Sequence, residues 1–403
     1  MTLAAAALLV LVSLPVWFVA AYLLLLTLLS GRPEVPRAVA RSARFVVVVP
    51  AHDEAAGIAR TVRSLLALDW PTHARRVCVV ADNCTDATAD LARAAGAEVI
   101  ERQDDERRGK GYALEFAFAQ LLAQGGFDAV VVVDADTAVS AQLLAAFAAR
   151  LERGAQACQA FYGVLNPHAG WRTRLITIAL AIFHRLRGRG REALGLSCGL
   201  RGNGMCFTAD TLRRVPHRAF SIVEDLEYGL LLGRAGIRVQ YVDEAYVLGE
   251  MVSSEKSARS QRQRWEGGRA QMVSRYGWPI LREALDRRDR LLFDLALDVL
   301  IPPLGSVALA AVGLAVLGAI LAAAGWIGPF VAIWALGPLA ILLLHVGRGV
   351  VLSGLGLSGW TTLARAPLYL AWKLSLRLRR RPDGNQWVRT EREPGSGSES
   401  DRP

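Results

Sequence analysis

Charge is absent from Met1 to Ser30, and between Phe293 and Leu344 only Asp294 and Asp298 carry any. A bilayer-crossing helix needs about 20 apolar residues. Both stretches exceed that, which argues against a wholly water-soluble chain. The first stretch also lacks a basic leader and a clear small-residue cleavage site, and it is long for a signal peptide. It reads as a retained anchor in which Pro15 is a tolerated kink. Cysteine is sparse and odd in number: Cys78, Cys84, Cys158, Cys198 and Cys206, with no C-x-x-C pair. That spacing argues against a zinc site or a disulfide framework and predicts free thiols in a reducing compartment. Missing too is the phosphate loop G-x-x-x-x-G-K-[ST]. No nucleic-acid motif accompanies the net charge of +10, so no nucleic-acid partner is expected.

The basic residues border the apolar runs. Arg32, Arg37, Arg41 and Arg44 follow the first; Arg348, Arg365, Lys373, Arg377, Arg379, Arg380 and Arg381 follow the last. This is the positive-inside pattern, with attraction to anionic membrane lipids as a second use. It predicts a multi-pass protein of a bacterial inner (cytoplasmic) membrane, with its central domain cytoplasmic and its N-terminus outside. The bacterial source is inferred from the richness in Ala, Arg and Gly. The expected organisation is a membrane helix over 1–30, a linker over 31–44, and an α/β domain with interfacial helices over 45–290. Two membrane helices follow over 291–348, the first interrupted by Pro302-Pro303. A membrane-interfacial or re-entrant segment with a basic tail takes 349–393, and a disordered Gly/Ser/Glu-rich end takes 394–403.

The central domain is organised around Val130-Val131-Val132-Val133-Asp134-Ala135-Asp136. Four valines suit a strand buried on both faces of a parallel sheet, and ligands of open α/β sheets bind at the carboxyl ends of strands. Two carboxylates there offer hard oxygen ligands to Mg²⁺ or Mn²⁺, although D-x-D is equally a strand end followed by an Asp turn. Further strands are expected at Phe45–Val49, Val77–Ala81, Glu98–Ile100 and Ile237–Val242. Helices are expected near 58–66, 85–95, 112–123, 223–234 and 255–275. Strands alternating with helices predict a mostly parallel, Rossmann-like sheet. Leu175, Ile178, Ala179, Ile182, Phe183 and Leu186 share a helical face followed by arginines, as in a helix lying on a membrane or packed in the core.

Several polar residues sit where chemistry needs them. Asp82 ends the second strand and can accept hydrogen bonds from a base or ribose, or cap the next helix. Ala51, His52 and Glu54 end the first strand beside it; His52 can stack on a base, and Glu54 can touch the same nucleoside. Lys110, in a loop between Gly109 and Gly111, can neutralise a phosphate. Asp225, next to Glu224, can act as a general base or satisfy a helix N-terminus. Gln261, Arg264 and Trp265 fall on one face of a helix. From there Arg264 can pair with a diphosphate and Trp265 can meet a sugar face, or anchor the helix in lipid. Gly202-Asn203-Gly204 makes a tight turn.

The order Asp82, Asp134-x-Asp136, Glu224-Asp225, Gln261-x-x-Arg264-Trp265, then membrane spans, resembles the family 2 inverting glycosyltransferases of GT-A fold. It is most similar to the membrane-bound subset that includes cellulose, hyaluronan and chitin-oligosaccharide synthases and ceramide glucosyltransferase. The resemblance implies that Ala51, His52, Glu54, Asp82, Lys110 and Asp134 hold the nucleotide sugar. His52 and Asp53 replace the family's usual tyrosine and asparagine. It further implies a Mg²⁺ or Mn²⁺ ion on Asp134 and Asp136, Asp225 as base with Glu224 beside it, and Gln261, Arg264 and Trp265 at the diphosphate and acceptor. The 202–204 turn lies where relatives line the acceptor site. The expected partners are a nucleotide sugar, UDP-linked first among them, a glycan or lipid acceptor, and membrane lipids; no oligomeric state follows. Processive exopolysaccharide or envelope-glycan synthesis leads. Single transfer to a glycolipid acceptor is the alternative, with a membrane nucleotidyltransferase and a non-catalytic scaffold behind it.

Overall fold

The computed structural model describes residues 2–37, 40–251 and 267–365. Its core is an eight-stranded sheet in the order β3-β2-β1-β4-β7-β6-β8-β5. The strands are β1 (Phe45–Ala51), β2 (Arg75–Asp82), β3 (Glu98–Arg102), β4 (Ala129–Val132), β5 (Thr137–Val139), β6 (Ala157–Val164), β7 (Met205–Thr208) and β8 (Val239–Gly249). The block β3-β2-β1-β4 is parallel. β7 runs antiparallel to both β4 and β6, β6 is parallel to β8, and β5 closes the edge antiparallel to β8.

The valine runs form the middle of the sheet because both of its faces are covered. Val46, Val48, Val130 and Val132 pack into one apolar layer with helices Lys110–Gln124 and Glu224–Arg234. Val47, Val49 and Val131 pack into the other with helices Ile58–Leu66 and Leu143–Leu151. Period-two alternation along one strand thus feeds two cores. Strand order reverses between β1 and β4, which opens a crevice at their carboxyl ends. Ala51, Asp82 and Asp134 all lie along that edge, after Val48 pairs with Val132 and Ala51 with Ala81.

Some elements differ from expectation. Val133 lies just beyond β4, though its amide still donates to the Val48 carbonyl at 3.0 Å. The strand expected over 237–242 extends to Gly249, and β5, β6 and β7 have no counterpart in the pattern. Lys110 is the first residue of a helix, not part of a loop.

Three described helices are long and apolar enough to cross a membrane: Leu3–Leu28, Leu304–Ala323 and Pro329–Leu352. The helical run from Arg290 breaks after Leu300, at Pro302-Pro303, and only its second part is such a span. In the first part Asp294 and Asp298 are 3% and 2% exposed. They are matched by the arginines expected on the membrane surface. Helix Trp171–Leu180 continues through a π turn, Ala181–Leu186, into helix Arg187–Ala193, and Arg187, Arg189 and Arg191 are buried. Arg191 Nε lies 2.9 Å from Asp294, and its Nη2 lies 2.8 Å from Asp298. Arg191 also donates to the Tyr22 hydroxyl at 2.8 Å, and Tyr22 donates to Asp294 at 2.7 Å. Gly190 permits this, since a Cβ there would sit 2.7 Å from the Leu26 carbonyl oxygen. Arg201 reaches Asp298 at 3.8 Å, and Arg269 donates to the Asp298 carbonyl. Burying this much charge is tolerable only because it is paired.

Candidate active site

Asp134 and Asp136 stand half-buried on either side of Ala135, which is 3% exposed. Ala135 turns into the core and its carbonyl accepts the Thr61 hydroxyl at 2.6 Å. The buried residue between them leaves both aspartates on the less buried side of the loop. The Asp134 amide donates to Asn203 Oδ1 at 3.1 Å, and Asn203 Nδ2 donates to Thr137 at 2.7 Å. Asn203 is fully buried, so the turn it belongs to is locked onto the acidic loop. Gly202 and Gly204 have φ of +79° and +71°, conformations that side chains rarely adopt.

Lys110 Nζ lies 2.5 Å from Asp134 Oδ1 and donates to the Gly202 carbonyl at 2.6 Å; Glu224 Oε1 is 3.8 Å away. A methyl group on Gly202 would lie 3.4 Å from Asp225 Oδ2 and 3.7 Å from Lys110 Nζ. Lys110, Asp134, Gly202, Glu224 and Asp225 therefore surround one space. The ammonium reaches it because Gly111 lets its helix abut the backbone of Ala219, where any Cβ would overlap the carbonyl oxygen. Burial works against the Lys110 charge, but Asp134, Glu224 and Asp225 outweigh it and hold the ammonium protonated well above its usual range. Burial pushes Glu224 up to about 7 against the opposing pull of Lys110, and Asp225 is raised by burial as well. A carboxyl raised toward the working pH suits proton transfer.

Asp82 is 6% exposed, and its Oδ1 accepts from Arg102 at 2.6 Å and from Asn83 at 3.2 Å. Arg102 also binds Asp104 at 2.9 Å, so a buried cation braces the β2 end of the crevice. His52 Nδ1 is 2.7 Å from the Asp82 carbonyl, which ties the ends of β1 and β2 together. The Glu54 amide donates to Thr88 at 2.8 Å. Asp53, Cys84 and Asp86 place possible ligand atoms within 4.8 Å of one another. Local bonds account for that cluster: Asp53 accepts the Thr85 amide at 2.7 Å, and Asp86 those of Thr88 at 2.9 Å and Ala55 at 3.1 Å. Gln261, Arg264 and Trp265 lie outside the described residues.

Arg102, Arg201 and Tyr162 carry no motif signal of their own. Arg201 precedes the Gly202 turn and its charge favours the ionised form of Asp225. Tyr162 lies on β6, a strand with no long apolar run to announce it.

The GT-A sheet thus carries an acidic loop at its switch point, a lysine against that loop and a carboxylate pair opposite. The profile of the family described as glycosyltransferase like family 2 matches residues 43–268, more than half of the chain. The chain belongs to that family.

It is 23% identical over 258 residues to the probable glycosyltransferase YdaM of Bacillus subtilis, covering 62% of this chain and 60% of that one. It is 27% identical over 266 residues to the beta-monoglucosyldiacylglycerol synthase of a Nostoc species, covering 63% and 55%. It is 36% identical over 133 residues to glycosyltransferase AglD of Haloferax volcanii, covering 31% and 21%. The chain thus spans less than two thirds of these relatives' own lengths. Among solved structures, the mannosyltransferase PcManGT from Pyrobaculum calidifontis, in complex with GDP-Man and Mn²⁺, aligns at 18% identity with a TM-score of 0.49, over 87% of this chain and 99% of that one.

Proposed function

We propose that the chain transfers a sugar from a nucleotide sugar, UDP-linked first among them, to a lipid or lipid-linked glycan acceptor at the cytoplasmic face of a bacterial inner membrane, inverting the anomeric centre. One observation carries this reading: Lys110 binds Asp134 and the Gly202 carbonyl while Asp225 stands against the same glycine. A cation for the departing diphosphate and a carboxylate for the incoming hydroxyl then face each other across one space.

Asp134 and Asp136 would hold Mg²⁺ or Mn²⁺; their hard, half-buried oxygens fit such an ion. When bound, the ion offsets charge gathering on the leaving diphosphate. Lys110 adds a fixed positive charge from the other side. Asp225 accepts the acceptor hydroxyl's proton as its oxygen attacks the anomeric carbon, with Glu224 beside it. Asp82, Ala51, His52 and Glu54 line the nucleoside end, and Gln261, Arg264 and Trp265 are assigned to the diphosphate and acceptor.

Single transfer to a lipid is favoured over polymer export on two grounds. A relative is named for glucosylating diacylglycerol, and only three helices among the described residues are long and apolar enough to span a bilayer. The test is the full chain in lipid vesicles containing diacylglycerol, given UDP-glucose, UDP-galactose, UDP-N-acetylglucosamine or GDP-mannose with Mg²⁺, Mn²⁺ or EDTA. Metal-dependent release of nucleoside diphosphate with one lipid-soluble product supports the reading. A ladder of products selects polymer synthesis instead, and released pyrophosphate would sink sugar transfer altogether.

A further inference from the structure

Tyr162 lies on β6 two residues past an irregularity: Ala160 pairs with Val242, but Phe161 pairs with Tyr246. Such register shifts re-aim side chains beside active sites. The Tyr162 ring is stacked on His184, with centroids 5.4 Å apart and planes at 19°. His184 Nδ1 is 2.8 Å from the Tyr162 carbonyl oxygen, so both the ring and the backbone of the tyrosine are gripped. His184 comes from the π turn Ala181–Leu186, a distortion common at functional sites. Burial and the neighbouring Arg201 push the His184 pKa down to about 3, so the imidazole stays neutral and serves as a flat wall.

The other end of Tyr162 points at the acidic loop. A Cβ on Gly249 would be 2.9 Å from the phenolic oxygen. Gly249 pairs across the sheet with Thr137, the residue after Asp136, and Thr137 holds Asn203. The hydroxyl therefore lies beside the start of β5, within hydrogen-bonding reach of Asn203 and in the fields of Asp134, Asp136 and Asp225. Burial, then the Asp134 and Asp136 charges, push the phenol far above its usual range, which keeps it protonated.

The charged groups nearest this space are largely one-sided in their hydrogen bonding. Ionised Asp134 and Asp136 only accept, and Lys110 only donates. A phenol does both, and so does a sugar hydroxyl. The phenol lies near the proposed metal pair and in the field of the proposed base, close to where the transferred ring would sit.

We propose that the Tyr162 hydroxyl contacts the transferred sugar and reads one of its ring hydroxyls, making Tyr162 a specificity-determining residue, with His184 positioning it. The assignment rests on the sugar-transfer reading above.

Tyr162→Phe removes one oxygen and keeps the ring on His184. The variant and the unsubstituted chain are compared with the best donor of the panel and with that donor's monodeoxy analogues. Loss of one neutral hydrogen bond predicts about a tenfold fall in kcat/KM with the parent donor. With the one analogue lacking the hydroxyl that is read, the two proteins should agree within about twofold. Affinity for UDP, measured by calorimetry, should not change, which separates this role from a structural one. An equal fall across every analogue, or no fall with the parent donor, overturns the assignment. If the unsubstituted chain turns over no donor, it is the transfer reading that fails.

Discussion

Lys110 Nζ sits 2.5 Å from Asp134 Oδ1, and this pair joins the end of the central strand to the start of helix Lys110–Gln124, facing Glu224 and Asp225. Lys110→Met leaves three carboxylates facing one another with no lysine ammonium among them. Nucleoside diphosphate release should fall by about 10²–10³, the usual cost of removing a preorganised charge-stabilising group. A fall of less than about tenfold would make the lysine a structural tie only.

Asp225→Asn keeps shape and removes basicity. Turnover should drop by about 10²–10⁴, while the KM for donor stays within about twofold because the nucleoside end is untouched. A rise in KM with kcat preserved would move Asp225 from proton transfer to binding.

The pH profile follows from the raised pair. A base works only when deprotonated, so activity is lost as pH falls through its pKa. Burial lifts both carboxyls, Glu224 to about 7, so the acid limb of kcat/KM should lie above the ordinary carboxylate range. Lys110 pulls the Glu224 pKa down. Residual activity of Lys110→Met should therefore have its acid limb at still higher pH. A limb left where an exposed carboxylate titrates would remove the pair from proton transfer.

Gly111→Ala sets a methyl group into the Ala219 carbonyl oxygen. Backbone cannot yield as a side-chain tip does, and overpacking of this kind costs about 1–3 kcal/mol. The melting temperature should fall, and activity should fall with it, because Lys110 is the adjoining residue.

Asp298→Asn removes the carboxylate shared by Arg187, Arg191 and Arg201. Breaking a buried pair from one side costs about 3–5 kcal/mol, readable as a lower melting temperature in detergent. A change below about 1 kcal/mol would mean the arginines are solvated.

Legibility in the sequence tracks hydrophobic pattern. The run from Phe45, the 77–81 run and the four valines before Asp134 stand out because parallel central strands are apolar throughout. β6 reads Ala-Cys-Gln-Ala-Phe-Tyr-Gly-Val, neither alternating nor continuous, and β5 and β7 have only three and four residues. Tyr162 is hidden with its strand. The glycines flanking Lys110 look like those of a loop, yet Gly111 serves close helix packing. Arg187 and Arg191 look like surface charge, since nothing local reveals that Asp294 and Asp298, far later in the chain, lie against them. The aspartates that interrupt the second apolar stretch are the available clue.

Tyr22 belongs to the first membrane helix, and Arg201 adjoins the turn beneath Asp225; the intervening links, Arg191 and Asp298, are buried and paired. Such a strut has a fixed length. It sets a constant standoff between the carboxylate pair and the first apolar helix, so on the proposed reading a bilayer-anchored acceptor would be met at a single height. On that reading headgroup reach, more than abundance in the leaflet, would decide which lipids receive sugar.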